Sequence, residues 1–219
     1  MRLASIATSV AAAIGTGLAA APPQDADAEK QRNAYAVQLS FRVADCVVDH
    51  NRRDAIALLR QVAGSTGERK ALRPIGQHVQ RCYRLIGRED SRMSMPVVII
   101  RAQIAEALFR RDFGPGRNQS APARLPPFDP SLTASPDPSV RRSALASGFA
   151  SCVAAALPEE SAVLLNTSPY SPEEQTVIDR LLPVFSGCMP AGAQLQINYP
   201  LFRGFVAEAL YRQRAGARP

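Results

Sequence analysis

Apolar residues recur along this chain every three or four positions, the spacing that gathers them on one face of an α-helix. Tyr35, Leu39, Val43, Cys46 and Val47 form the first such stripe, and Leu145, Phe149, Cys152, Val153 and Ala156 form its counterpart in the second half. A short second helix is predicted around Ile56, Leu58 and Leu59, and again around Val163, Leu164 and Leu165. The third has the clearest start: Ser65 with Glu68, and Ser171 with Glu174, are capping boxes, and Pro172 sits where a missing N–H costs nothing. Its apolar stripe is Leu72, Ile75, Val79 and Cys82, then Ile178, Leu181, Phe185 and Cys188; Pro74 and Pro183 inside it predict a kink or a break. The fourth puts Ile100, Ile104 and Leu108 on one face with Glu106 and Arg110 elsewhere, and Phe202, Val206 and Leu210 repeat this beside Glu208 and Arg212. Val97–Ile100 is β-branched enough for a strand, but its counterpart Leu201–Gly204 is not, so helix is the reading for both.

These parallels have a register. Cys46 and Cys82 are 36 apart, as are Cys152 and Cys188, and at the same offset of 106 the two capping boxes and the two short apolar helices coincide. Beyond the third helix the offset becomes 102, where Arg101–Arg110 (RAQIAEALFR) meets Arg203–Arg212 (RGFVAEALYR). Cysteines, caps and a closing motif in one order indicate a duplication. The predicted fold is all-α: two tandem repeats of a roughly four-helix unit, pseudo-twofold related, over residues 29–112 and 137–216. A Pro, Gly and Ser-rich linker over residues 113–136 joins them.

Residues 1–28 read as a secretory signal: Arg2, an uncharged run of small and apolar residues, then Ala26-Asp27-Ala28 as a small-x-small cleavage site. An uncleaved signal anchor is the alternative. Export brings an oxidising compartment, periplasmic or extracellular, in which four cysteines without a close pair are expected to form disulfides. Duplication selects one of the three possible pairings, Cys46 with Cys82 and Cys152 with Cys188.

Little else in the chain carries chemistry. The only histidines, His50 and His78, have Ala156 and Val184 as counterparts, and no metal-ligand spacing, nucleophile elbow or phosphate loop occurs, so no metal and no cofactor are expected. The repeated Glu106 and Glu208 admit two readings. Facing each other across a pseudo-twofold axis they would be the carboxylate pair of a cell-wall glycan hydrolase; on their own helices each precedes an arginine by four residues, Arg110 and Arg212, as a stabilising ion pair does. The repeated Arg101 and Arg203, each entering an apolar helix, are expected to answer a fixed carboxylate or a set of helix-terminal carbonyls.

Charge separates the two copies. The chain carries a net +7, concentrated in the first repeat, and only two of its 26 basic residues are lysine. Arg52, Arg53, Arg60, Arg69, Lys70 and Arg73, with Arg81, Arg84, Arg88 and Arg92 further on, would decorate the second and third helices as a possible anion-binding surface. The partner expected is an anionic envelope component or an unknown protein; export argues against nucleic acid.

The leader, the C-x35-C spacing and the closing Arg-x-x-[Ile/Val]-Ala-Glu-Ala-Leu-[Phe/Tyr]-Arg resemble a group of secreted alphaproteobacterial proteins of the sphingomonad type. The resemblance covers both repeats and implies a small, exported helical protein; no activity comes with it. The expected function is accordingly non-enzymatic, a binding or structural role in the cell envelope.

Overall fold

The helix pattern breaks at one residue in each repeat, and at the same one. Asn51 and Leu157, 106 positions apart, both leave helical geometry, with φ/ψ of −140°/42° and −135°/69°. Where Pro158 follows, lacking an N–H, the chain divides into two helices meeting at 109°. Where Arg52 follows instead, the helix continues across the kink.

The computed structural model describes residues 23–86, 96–114, 122–189 and 198–216, with side chains from residue 34 onward. Seven α-helices result: α1 Pro23–Leu59, α2 Thr66–Leu85, α3 Val97–Phe113, α4 Pro138–Ala156, α5 Pro158–Asn166, α6 Pro172–Cys188 and α7 Tyr199–Gly216. A 3₁₀ turn, Pro130–Ala134, precedes α4, and no strand occurs among the described residues. The kinked α1 stands for two helices, so each repeat supplies the four that its sequence predicts. The predicted leader lies outside the described residues as far as residue 22, and its cleavage site falls within the first turns of α1.

The centre is the pair α3 and α7, the closing helices of the two repeats, packed on each other. Both are buried on nearly every side, residues 101–109 and 202–211 without exception, as befits helices enclosed by other helices. Glu106 and Glu208, expected away from the apolar face, are therefore inside as well. Gly204 lets the two backbones cross: a Cβ there would stand 2.2 Å from the Cβ of Ala102. Around this pair α1 packs on α3 and α2 on α1, while α4 and α5 pack on α7 and α6 on α4 and α5, so one apolar core runs through both repeats.

Equivalent core positions are filled differently. Phe149, Phe185 and Phe202 meet edge-on or tilted, with ring centroids 5.1–6.0 Å apart. The first repeat fills the same space with Val43, Val79 and Ile100. Three predicted details change. Tyr35 is 49% exposed and Cys152 lies on an exposed edge, because each stands at the rim of its stripe. Helices α2 and α6 run unbroken through Pro74 and Pro183, both exposed, so that the carbonyl each proline frees lies on the exposed residue Lys70 or Asp179.

The described part of the linker, residues 122–136, lies against the bundle. The Ala123 N–H donates to Tyr211 Oη at 3.1 Å and Arg212 Nε to the Pro126 carbonyl at 2.9 Å, while Leu125 packs on the core.

Candidate functional site

Both predicted disulfides form, Cys46–Cys82 and Cys152–Cys188, with Cα atoms 5.8 and 5.5 Å apart. Each ties the first helix of its repeat to the third, and each closes a loop of 36 residues, worth roughly 3–4 kcal/mol in the chain-entropy account. Nδ1 of His50 stands 2.9 Å from the Cys46 carbonyl, and its ring with the two sulfurs is the one group of three metal-ligand side chains among the described residues. Both sulfurs are joined to each other, which removes them as metal ligands.

The repeated arginines meet the repeated glutamates across the repeat boundary. Arg101 donates from Nε and Nη2 to the two oxygens of Glu208, at 3.0 and 2.6 Å, and Arg203 does the same to Glu106, at 3.1 and 2.6 Å. Each guanidinium then turns its remaining donors back to its own repeat. Arg101 reaches Glu68 Oε1 at 3.2 Å and the carbonyls of Leu58, Leu59 and Gln61 at the end of α1. Arg203 reaches Glu174 Oε1 at 2.9 Å, Thr167 Oγ1, and the carbonyls of Leu165 and Thr167 at the end of α5. Both expected kinds of partner, a carboxylate and helix-terminal carbonyls, are thus present together.

The capping glutamates carry a second duty that their motif does not reveal. Ser65 Oγ accepts from the Glu68 N–H at 3.2 Å, and Glu68 Oε2 accepts from the Gly64 N–H at 2.7 Å, leaving Oε1 for Arg101. Ser171, Glu174 and Tyr170 repeat the arrangement in front of Arg203. Arg110 and Arg212 complete the set, pairing with Glu106 at 2.8 Å and with Glu208 on the same helix; Arg110 also holds Asp45 at 2.7 Å. Four arginines face four glutamates, and the exposed side chain of Asp45 joins them at Arg110.

Burial opposes ionisation here, and proximity overrides it. Desolvation would raise the pKa of Glu208, yet Arg101 and Arg212 hold it below its ordinary value of 4.5. Desolvation would lower the pKa of Arg101 and Arg203, yet the carboxylates facing them raise both. Glu208, Arg101 and Arg203 are thereby held charged. Neither Glu106 nor Glu208, 0% and 3% exposed, has an oxygen free of arginine, whereas a general acid or a nucleophile has to reach its substrate.

A smaller buried cluster has no counterpart in the other repeat. Arg52 donates to both oxygens of Asp112, at 3.2 and 2.6 Å, and Tyr211 Oη donates to Asp112 at 2.5 Å while accepting from the linker. Burial, reinforced by Asp112, raises the Tyr211 pKa above its ordinary 10.0, so its hydroxyl keeps the proton it donates. Asp112 and Tyr211 align with Arg214 and Phe109, so comparing the repeats could not reveal them.

The structure divides the predicted anion-binding residues. Arg52 faces inward on Asp112, while Arg53, Arg60, Arg69, Lys70 and Arg73 are exposed. With Arg81 and Arg84, also exposed, α2 carries five outward cations, and its only acidic residue is Glu68, buried against Arg101. Arg88 and Arg92 lie outside the described residues. In the second repeat α6 places Gln175, Thr176 and Asp179 where α2 has Arg69, Lys70 and Arg73.

Comparison with family models, with curated proteins and with solved structures finds no match for this chain.

Proposed function

We propose that this protein is a non-enzymatic binding protein of the cell envelope, and that the basic face of α2 is its contact with an anionic lipid surface. The observation behind this reading is the asymmetry between the repeats. Both copies build the same helices, caps and buried ion pairs, so the fold does not call for five cations on α2; α6 serves the same structural role without them. A helix whose apolar stripe faces the core and whose exposed charges are all positive is suited to lie along a negative surface. At about 1 kcal/mol per cation near an anionic bilayer, five would suffice for reversible attachment. The two disulfides fit an oxidising compartment. No single helix among the described residues is long and apolar enough to cross a membrane.

The test is sedimentation of the full chain with vesicles of phosphatidylglycerol and of phosphatidylcholine. Association with the first alone is expected, falling steeply as salt exceeds about 0.1 M, where the screening length is ~10 Å. Replacing Arg73, Arg81 and Arg84 together by serine should weaken it by about 3 kcal/mol, roughly a hundredfold. Association indifferent to salt or to these substitutions would refute the reading, and preference for a polyanionic glycan over the vesicles would reassign the surface.

A further inference from the structure

A cavity of about 760 Å³ opens between the repeats, where the turn before α2 and the start of α3 meet α4 and α7. Its volume lies within the ordinary range of small-molecule sites. One wall is apolar, made by Val97, Val98, Leu145, Leu201 and Phe205. At its polar edge stand Arg69 and Arg142, both exposed, with Ser139 and Ser143 between the latter and the turn. Among the described lining residues the only carboxylate is Glu68, and Arg101 already pairs with it. The lining is therefore apolar on one side and has an excess of two positive charges on the other.

Nothing in the fold demands this composition. At the equivalent positions of the opposite repeat Arg69 is replaced by Gln175, Arg142 by Ala36 and Phe205 by Gln103, while Leu145 and Leu201 become Leu39 and Ile99. The same helices cross there without the two cations and without the ring. Gln103, buried and hydrogen-bonded through Nε2 to Ser40 at 2.5 Å, makes that side polar.

We infer that this cavity binds one long-chain fatty-acid carboxylate, its alkyl chain along Val97, Val98, Leu145, Leu201 and Phe205 and its head between Arg69 and Arg142. An apolar wall ending in cations recognises an amphiphilic anion, and a single wall takes a single chain. The inference rests on the reading that the protein engages anionic envelope lipid, and it assigns a second contact, with a monoacyl species, on α4 and α7.

Titrating the full chain with cis-parinaric acid, a fluorescent fatty acid, and displacing it with palmitate below its aggregation threshold measures this directly. One saturable site per chain is expected. Arg142→Ser should weaken it at least about tenfold, the size of losing one charge-assisted contact. Val97→Asp, at an exposed position that circular dichroism can show leaves the helices intact, should weaken it as much. Hexadecanol should fail to displace the probe where palmitate succeeds. Absence of a saturable site, binding unmoved by both substitutions, or equal displacement by the alcohol would overturn the inference, and preference for a lysophospholipid would overturn its carboxylate head. The Arg73, Arg81 and Arg84 variant separates the two surfaces: it should lose vesicle attachment and keep fatty-acid binding, whereas Arg142→Ser should do the reverse.

Discussion

Arg101 of the first repeat holds Glu208 of the second through two parallel hydrogen bonds, and Arg203 returns the same grip on Glu106. The exchange is reciprocal, as a pseudo-twofold axis between α3 and α7 requires. Its consequence is that each repeat supplies the bidentate partner of the other's buried arginine. Removing one member leaves the other charged, desolvated and without its bidentate partner, at a cost of up to about 3–5 kcal/mol. Arg101→Met and Glu208→Gln should each lower unfolding stability by that order in urea titrations. The double variant should lose less than the sum of the two, and strict additivity would show that the pair is not coupled.

The same exchange decides whether the repeats fold alone. A chain of residues 137–216 would bury Arg203 without Glu106 and expose the face of α7 that α3 covers. Such a fragment is expected to stay unfolded by circular dichroism even with Cys152–Cys188 oxidised, and the whole chain to melt in one calorimetric transition. Two separated transitions would contradict a shared core.

Acid should weaken the cluster in a definite window. The folded pKa of Glu208 lies below its ordinary 4.5, because Arg101 and Arg212 outweigh the effect of burial. The unfolded chain therefore takes up a proton first as pH falls. The stabilisation from this group is complete above pH 4.5 and declines as pH drops through the lower folded value. Urea midpoints measured downward from pH 6 should fall in that range, and Glu208→Gln should flatten the decline. A midpoint rising on acidification would reverse the sign.

Much of this was readable from the residues, and the reason is duplication. Helices, caps and a disulfide each appear once in either repeat, so Val97–Ile100, ambiguous by itself, is resolved by the second copy. What could not be read is whatever depends on how the copies meet. Glu106 with Arg110 looks like an exposed helical pair because spacing along one helix carries no information about a second helix laid over it. Glu68 looks like a cap and nothing more, since a carboxylate's second oxygen is invisible to a motif. Asp112 and Tyr211 lie where the copies have diverged, and comparison inside the chain is blind to them.

The residue ahead of each capping serine shows a divergence with a measurable cost. Gly64 and Tyr170 occupy equivalent places and share a left-handed backbone, with φ of +83° and +65°. Glycine adopts this freely, while for a tyrosine it costs about 1–2 kcal/mol. The Tyr170 side chain is 47% exposed, so little packing is lost with it. Tyr170→Gly should raise the urea midpoint, by about 1 kcal/mol after allowing for the greater freedom of glycine in the unfolded chain. Gly64→Ala should act oppositely and more strongly, because its Cβ would stand 2.6 Å from the Ser139 carbonyl, backbone that has no room to yield. If Tyr170→Gly proved destabilising by as much as Gly64→Ala, contacts of the exposed ring would outweigh the backbone geometry, and strain would not be what distinguishes the two turns.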